Sequence, residues 1–282
     1  MVCQQTKRRQ KYMPLYLNSA SLADISKAIS EASEVVMLAF NSQQSSEEAD
    51  AVKPNMITTA LRQLIDIMAM IEVDQATDIA YSDTLATFPK EPLSEIDMSP
   101  LSRTEISEIG DHGMSLVQTL SEWAENLALG MQQQQLHAVM VILALWIARH
   151  GGYIRNLDTV VDTLADIANK TSDAKILAEL SHVMGEIIDA VDMNNRNIND
   201  SIRGSRTQSW KILNINRGII ATRTHDASIM EPVFEQLVHN IPEYAPIFFE
   251  KGIREVDTPN YPADTQSMMI RFYQKFHSHT LH

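Results

Sequence analysis

Cys3 is the only cysteine, so no intrachain disulfide can form and a reducing compartment suits the chain. Glycine (9) and proline (10) are sparse among 282 residues, which removes the usual punctuation of a many-turned β fold. No segment longer than a few residues alternates apolar and polar side chains as a half-buried strand does. The β-branched run Thr159–Val160–Val161 lies within a helical period. The most apolar window, Leu136 to Ala148, is short of the roughly 20 apolar residues that a bilayer requires, and it contains His137. Lys7, Arg8, Arg9 and Lys11 are followed by no apolar run of signal-peptide length; a transit peptide is the alternative for such a basic start. The expected location is cytoplasmic.

Catalytic signatures are missing too. The chain has no Gly-x-Ser-x-Gly elbow, no Gly-x-Gly-x-x-Gly, no glycine-rich phosphate loop and no His-Glu-x-x-His, and Cys3 has no neighbouring histidine. The expectation is therefore a non-enzymatic protein.

What is present is helix-forming. Hydrophobic residues make up 44% and charged residues 21%, a globular balance, and methionine is plentiful at 15. Leu22, Ile25, Ile29, Val36 and Phe40 recur at helical spacing, as do Leu61, Leu64, Ile65, Met68 and Ile71. Leu116, Leu120, Trp123 and Leu127 form a third stripe. Residues 132–150 are apolar almost all round, which marks the central helix, and Gly151–Gly152 stand where a left-handed residue would end it. Further helices are expected over 157–169, 173–193, 231–239, 244–256 and 262–277. Helix is expected in part over 206–222, where Gly204 and Gly218 interrupt. Pro232, Pro246 and Pro262 suit first-turn positions. The fold class is all-α: an antiparallel helical bundle or a short irregular array of αα-hairpins. Its organisation reads as a tail (1–20), an N-terminal hairpin (21–73), a linker (74–102) holding Pro89, Pro92 and Pro100, and a main domain (103–282).

Residues 144–168 (ALWIARHGGYIRNLDTVVDTLADIA), with Trp146, Gly152–Tyr153 at the turn and small residues in the second helix, resemble one tetratricopeptide-type helix–turn–helix. The resemblance covers one repeat, and the next 34 residues do not reproduce it. It implies an αα-hairpin there.

The net charge is −13, which argues against nucleic acid and against anionic membranes. Against that background residues 196–223 hold Arg196, Arg203, Arg206, Lys211, Arg217 and Arg223 with one acid, Asp200. Arg203-Gly204-Ser205-Arg206, followed by Trp210, offers guanidinium forks, a hydroxyl and backbone N–H groups, the donors that an anion needs. Three uses fit: ion pairing within the molecule or between subunits, an anionic partner protein, or a small phosphate or carboxylate ligand. The expected partner- or anion-binding set is Arg203, Arg206, Trp210, Lys211, Arg217 and Arg223.

A metal is the competing chemistry. Glu179 and His182 form one Glu-x-x-His pair, with Glu186 a turn later, and Asp162 stands on the preceding helix with Asp158 and Asp166. The second Glu-x-x-His pair of a di-iron bundle is missing. The tail holds His277, His279 and His282. Arg149 and His150 end the central helix. Seven of the 17 aromatic residues fall within 242–276, a concentration that serves either an interface or the docking of a terminal helix. The resulting expectation is an accessory, scaffold or adaptor protein that binds another protein through the Arg-rich island and the aromatic C-terminal hairpin. A helical metal-binding enzyme or carrier and a small-anion binder are the alternatives, and a homo-oligomer is compatible with all three.

Overall fold

A computed structural model describes residues 17–43, 53–84, 101–191, 193, 200–257 and 261–277, with side chains to Val73 in the second helix and from Gly204 in the seventh. Among the described residues there are ten α-helices and no strand. They are α1 (Leu22–Gln43), α2 (Pro54–Thr84), α3 (Arg103–Asn126), α4 (Gly130–Arg149), α5 (Asp158–Asn169), α6 (Ala174–Asp189), α7 (Asp200–Thr224), α8 (Ala227–Asn240), α9 (Ala245–Val256) and α10 (Ala263–His277). The fold class is as expected, a helical bundle or array.

Local chemistry sets several boundaries. Ser21 starts α1: its N–H donates to the Asp24 carboxylate at 2.9 Å and its hydroxyl accepts from the Asp24 N–H. Ser102 and Glu105 make the same reciprocal cap for α3, and Asp173 and Asp226 cap α6 and α8. α4 ends where Gly151 turns left-handed at φ +76°. The α4–turn–α5 unit is the αα-hairpin implied by residues 144–168.

Four elements differ from expectation, and one of them, α6, ends at Asp189 and not at 193. α2 runs on to Thr84, eleven residues into the stretch assigned to the linker, because no proline stands between Pro54 at its start and Pro89. α7 is continuous across Gly204 and Gly218. At Gly218 a Cβ would lie 2.7 Å from Phe248 and 2.9 Å from Leu237, so glycine there answers close packing and does not break the helix. Pro232 lies inside α8 and not in its first turn. The capped start at Asp226 places it past the turn in which a missing N–H is harmless.

α4 is the hub. Val139 to Ile147 are all buried, and α1, α3, α5 and α6 pack around it. One apolar cluster runs from Leu17 to Ile220 and so joins the N-terminal hairpin to the main body across the proline-containing stretch. A second cluster takes Ala221, Met230, Phe234, Phe249, Val256, Met269 and Phe272, and Trp210 packs against both. The two cores therefore meet in α7.

The α3–α4 crossing depends on Gly110, where an added methyl would overlap the Ile147 side chain. Both residues are buried. Gly110→Ala is expected to lower stability by about 1–3 kcal/mol, the usual cost of overpacking, read as a shift of the urea midpoint at constant slope.

Candidate functional site

The Arg-rich island is built on α7, whose buried stripe passes through Arg206, Leu213, Ile220 and Thr224. These positions recur at helical spacing, so the bases that share this face turn toward α5 and α6. Arg206 Nε donates to the Arg155 carbonyl at 3.0 Å. Arg217 Nε donates to the Ser181 carbonyl at 2.8 Å, and its Nη1 to Gln236 Oε1. Gln236 in turn donates to Asp189 at 2.7 Å, while burial pulls the Arg217 guanidinium below its usual pKa against the opposing charge of Asp189. Arg223 donates to the Ala168 carbonyl at 3.0 Å and the Thr171 carbonyl at 2.6 Å, at the C-terminal end of α5. The last carbonyls of a helix lack the regular partner four residues on, and a cation also meets the negative end of the helix dipole.

The neutral members of the segment do similar work. Trp210 Nε1 donates to the Ile188 carbonyl at 3.3 Å, near the end of α6. Ser205 donates to Asp158 at 3.1 Å, and Ser209 donates to the same carboxylate. Lys211 is half-buried, 3.0 Å from Glu243, with its ammonium 4.7 Å from the Tyr244 ring centroid. Arg196 lies outside the described residues, as does the side chain of Arg203.

Beside this seam Arg155 pairs with Asp111 at 2.9 Å, yet burial still raises the Asp111 carboxyl above its usual range. The Asp158 contacts and the binding of carbonyls by arginine went unforeseen. The readable signal was the recurrence of Arg206, Trp210, Leu213, Arg217 and Ile220 along one helical stripe.

The proposed metal ligands do not converge. Arg149 holds Glu186 in a two-pronged pair, Nε and Nη2 each at 2.8 Å, and also binds the Asn18 carbonyl and side chain at 2.9 and 2.7 Å. That arginine keeps the Glu186 carboxyl below its usual range. His182 lies 3.5 Å from Glu186, and Glu179 is exposed. Burial lowers the His137 imidazole below its usual pKa near the start of α4, against the charges of Glu125 and Asp162. His137 and Arg149 are twelve residues apart on one helix, about 18 Å at 1.5 Å per residue, too far to share an ion. Among the described residues no group of three His, Cys, Asp or Glu side chains could hold a metal. Cys3, His279, His282 and the His277 side chain lie outside the described residues.

His150 closes the end of α4: its Nδ1–H donates to the Trp146 carbonyl at 2.8 Å and its ring stacks on that indole at 4.3 Å. The two rings border a cavity of about 90 Å³ with Leu22, Ile25, Glu72 and Arg149. The buried Trp146 N–H has no hydrogen-bond partner among the described residues.

The C-terminal aromatics point mainly inward. Phe234, Phe249 and Phe272 are fully buried and pack edge-to-face or stacked, with centroids 5.2–5.4 Å apart. Tyr244 is exposed, and the Phe276 side chain lies outside the described residues.

The conspicuous apolar surface is elsewhere, on α2. Ile57, Leu61, Leu64, Met68 and Ile71 are buried at alternating spacings of four and three. The residue before each of them makes a second row: Met56, Ala60, Gln63, Ile67 and Met70. In that row Met56 is 60% exposed, Ile67 43% and Met70 59%. One residue of offset is about 100° of rotation, so this row forms a distinct face of the helix. Comparison of the chain with family models, curated proteins and solved structures finds no match.

Proposed function

We propose that the protein is a non-enzymatic accessory protein that works by binding another protein, and that the outer row of α2 receives a helix of that partner. The observation carrying this reading is the second row itself. Single exposed apolar residues are ordinary on any surface. Met56, Ile67 and Met70 are not scattered; they lie in one line at the spacing by which one helix seats its side chains into another. The inner row holds α2 to its neighbours, and no member of the outer row belongs to that core.

The island is a weaker candidate for the docking surface. Arg206, Arg217 and Arg223 are already hydrogen-bonded within the molecule. The aromatic hairpin is weaker for a parallel reason, since Phe249 and Phe272 are interior.

A photo-crosslinking residue at position 67, with another at exposed Glu179 on α6 as control, tests the assignment in cells that make the protein. The expected outcome is one discrete adduct with another protein from position 67, none from 179, and loss of that adduct in Met56→Glu/Met70→Glu. The double variant should keep its thermal stability within about 0.5 kcal/mol, as surface changes do. An adduct with a second copy of this chain, or equal labelling from both positions, would overturn the reading.

A further inference from the structure

We propose that the cavity at the C-terminal end of α4 binds a small aliphatic amine, with its ammonium held by Glu72 and His150 and its hydrocarbon stem among leucine and isoleucine side chains. This site is separate from the outer row of α2 and independent of the docking reading above.

The cavity measures about 90 Å³. A water needs roughly 10–15 Å³ of such space, and an apolar cavity of about 150 Å³ holds benzene. The room here therefore suits a molecule of about four to six heavy atoms. Leu22 and Ile25 of α1 and Ile142 and Leu145 of α4 wall it, with the Trp146 ring beside them. Those four side chains are buried and give trapped water nothing to bond to, whereas they suit a short hydrocarbon stem.

Two positive features border the cavity, and both are answered within the molecule. Arg149 is held by Glu186 and Asn18. The start of α1, the positive end of its dipole, is capped by Asp24, which accepts from the Ser21 N–H and hydroxyl at 2.9 and 2.7 Å. The unpaired Trp146 N–H is itself covered, with less than 1 Å² exposed, so a ligand does not meet it.

The groups left open are acceptors. Glu72 has no hydrogen-bond or ion-pair partner among the described residues. His150 spends its Nδ1–H on the Trp146 carbonyl, so Nε2 of the neutral ring carries a lone pair. An ammonium brings three donors and a positive charge to this pair, and an indole wall attracts a cation further. A carboxylate or phosphate would meet Glu72 as like charge.

The probe is n-butylammonium chloride, titrated against the full nitrogen-15-labelled chain. Binding is read at the indole N–H signals of the three tryptophans, Trp123, Trp146 and Trp210, with Trp146 assigned through Trp146→Phe. The Trp146 signal is expected to move to saturation while the other two stay. n-Butanol and n-butyrate, which keep the stem but carry a neutral or an anionic head, are expected to bind at least tenfold more weakly. Glu72→Gln, an exposed change that spares the fold, should weaken n-butylammonium at least tenfold. Ala20→Leu, which enlarges a residue lining the cavity, should abolish binding, and Glu179→Gln on α6 should leave it unchanged. N-acetyl-lysine methylamide, the same stem on a peptide backbone, should bind at least tenfold more weakly for want of room.

No movement of the Trp146 signal would overturn the proposal. Equal binding of the three butyl probes would overturn the amine as the head group. Binding that survives both Glu72→Gln and Ala20→Leu would be adsorption to an acidic protein and would also overturn it. Equal binding of the blocked lysine would assign the ammonium to a protein side chain and overturn the free amine.

Discussion

Phe234→Ala is expected to lower stability by about 3–5 kcal/mol, the cost of emptying a large, fully packed aromatic site. Phe234 is wholly buried, with Phe249 and Phe272 at 5.2 and 5.3 Å and Phe248 at 5.9 Å, each near edge-on. Edge-to-face partners add to the loss beyond the buried area. The damage should also be local. The cluster around Phe234 is separate from the larger core, and α7 is the element that joins them. Hydrogen exchange should therefore show α8–α10 losing protection while α3–α6 keep theirs. A uniform loss along the whole chain would mean that the two cores melt as one and would refute the division drawn at α7. A cost below about 1 kcal/mol would show that the C-terminal aromatics do not dock the last three helices and would return them to the list of recognition surfaces.

The second large effect concerns the island. A Cβ at Gly185 on α6 would lie 2.6 Å from Nη2 and 2.7 Å from Cζ of Arg217. That guanidinium has little room to retreat, because the Ser181 carbonyl and Gln236 both hold it. Gly185→Ala is expected to cost about 1–3 kcal/mol by overpacking. Arg217→Ala is expected to cost a similar amount, about 1–3 kcal/mol, by removing the donor to two part-buried acceptors, the Ser181 carbonyl and Gln236. In the double variant the clash has no object, so the combined cost should fall short of the sum by about 1 kcal/mol or more. Urea unfolding of the four proteins in the cycle reads this directly. Additivity within about 0.5 kcal/mol would mean that the guanidinium does not sit against Gly185 and would restore Arg217 as a partner-facing cation.

These two sites also mark what the chain discloses before it folds. Helix class was legible because Ile25, Ile29, Leu61, Leu64, Met68 and their like recur at helical spacing and lie buried in the structure. The left-handed end of α4 was legible at Gly151 because glycine alone adopts that backbone without cost. The destination of the island's bases was not legible. Ala168, Thr171, Ser181 and Arg155 receive arginine through main-chain carbonyls, groups that every residue carries and no residue type announces. The metal candidate failed for a related reason. Spacing puts Asp162 and Glu186 on suitable faces of their own helices, but it says nothing about which end of α4 each helix meets. The outer row of α2 escaped notice because Ala60 and Gln63 dilute it, and because periodicity reveals the stronger row first.

The carbonyl contacts of α7 have a consequence for how this sequence can drift. An arginine that binds a carbonyl does not inspect the side chain attached to it. Ala168, Thr171 and Ser181 can thus change identity, within the limits of their own packing, and still receive Arg223 and Arg217. The donors have no such latitude, since lysine lacks the planar fork that reaches two acceptors at once. Substitution should therefore be one-sided across this interface, permissive on α5 and α6 and restrictive at Arg217 and Arg223. A saturation library scored for folded protein would display that asymmetry.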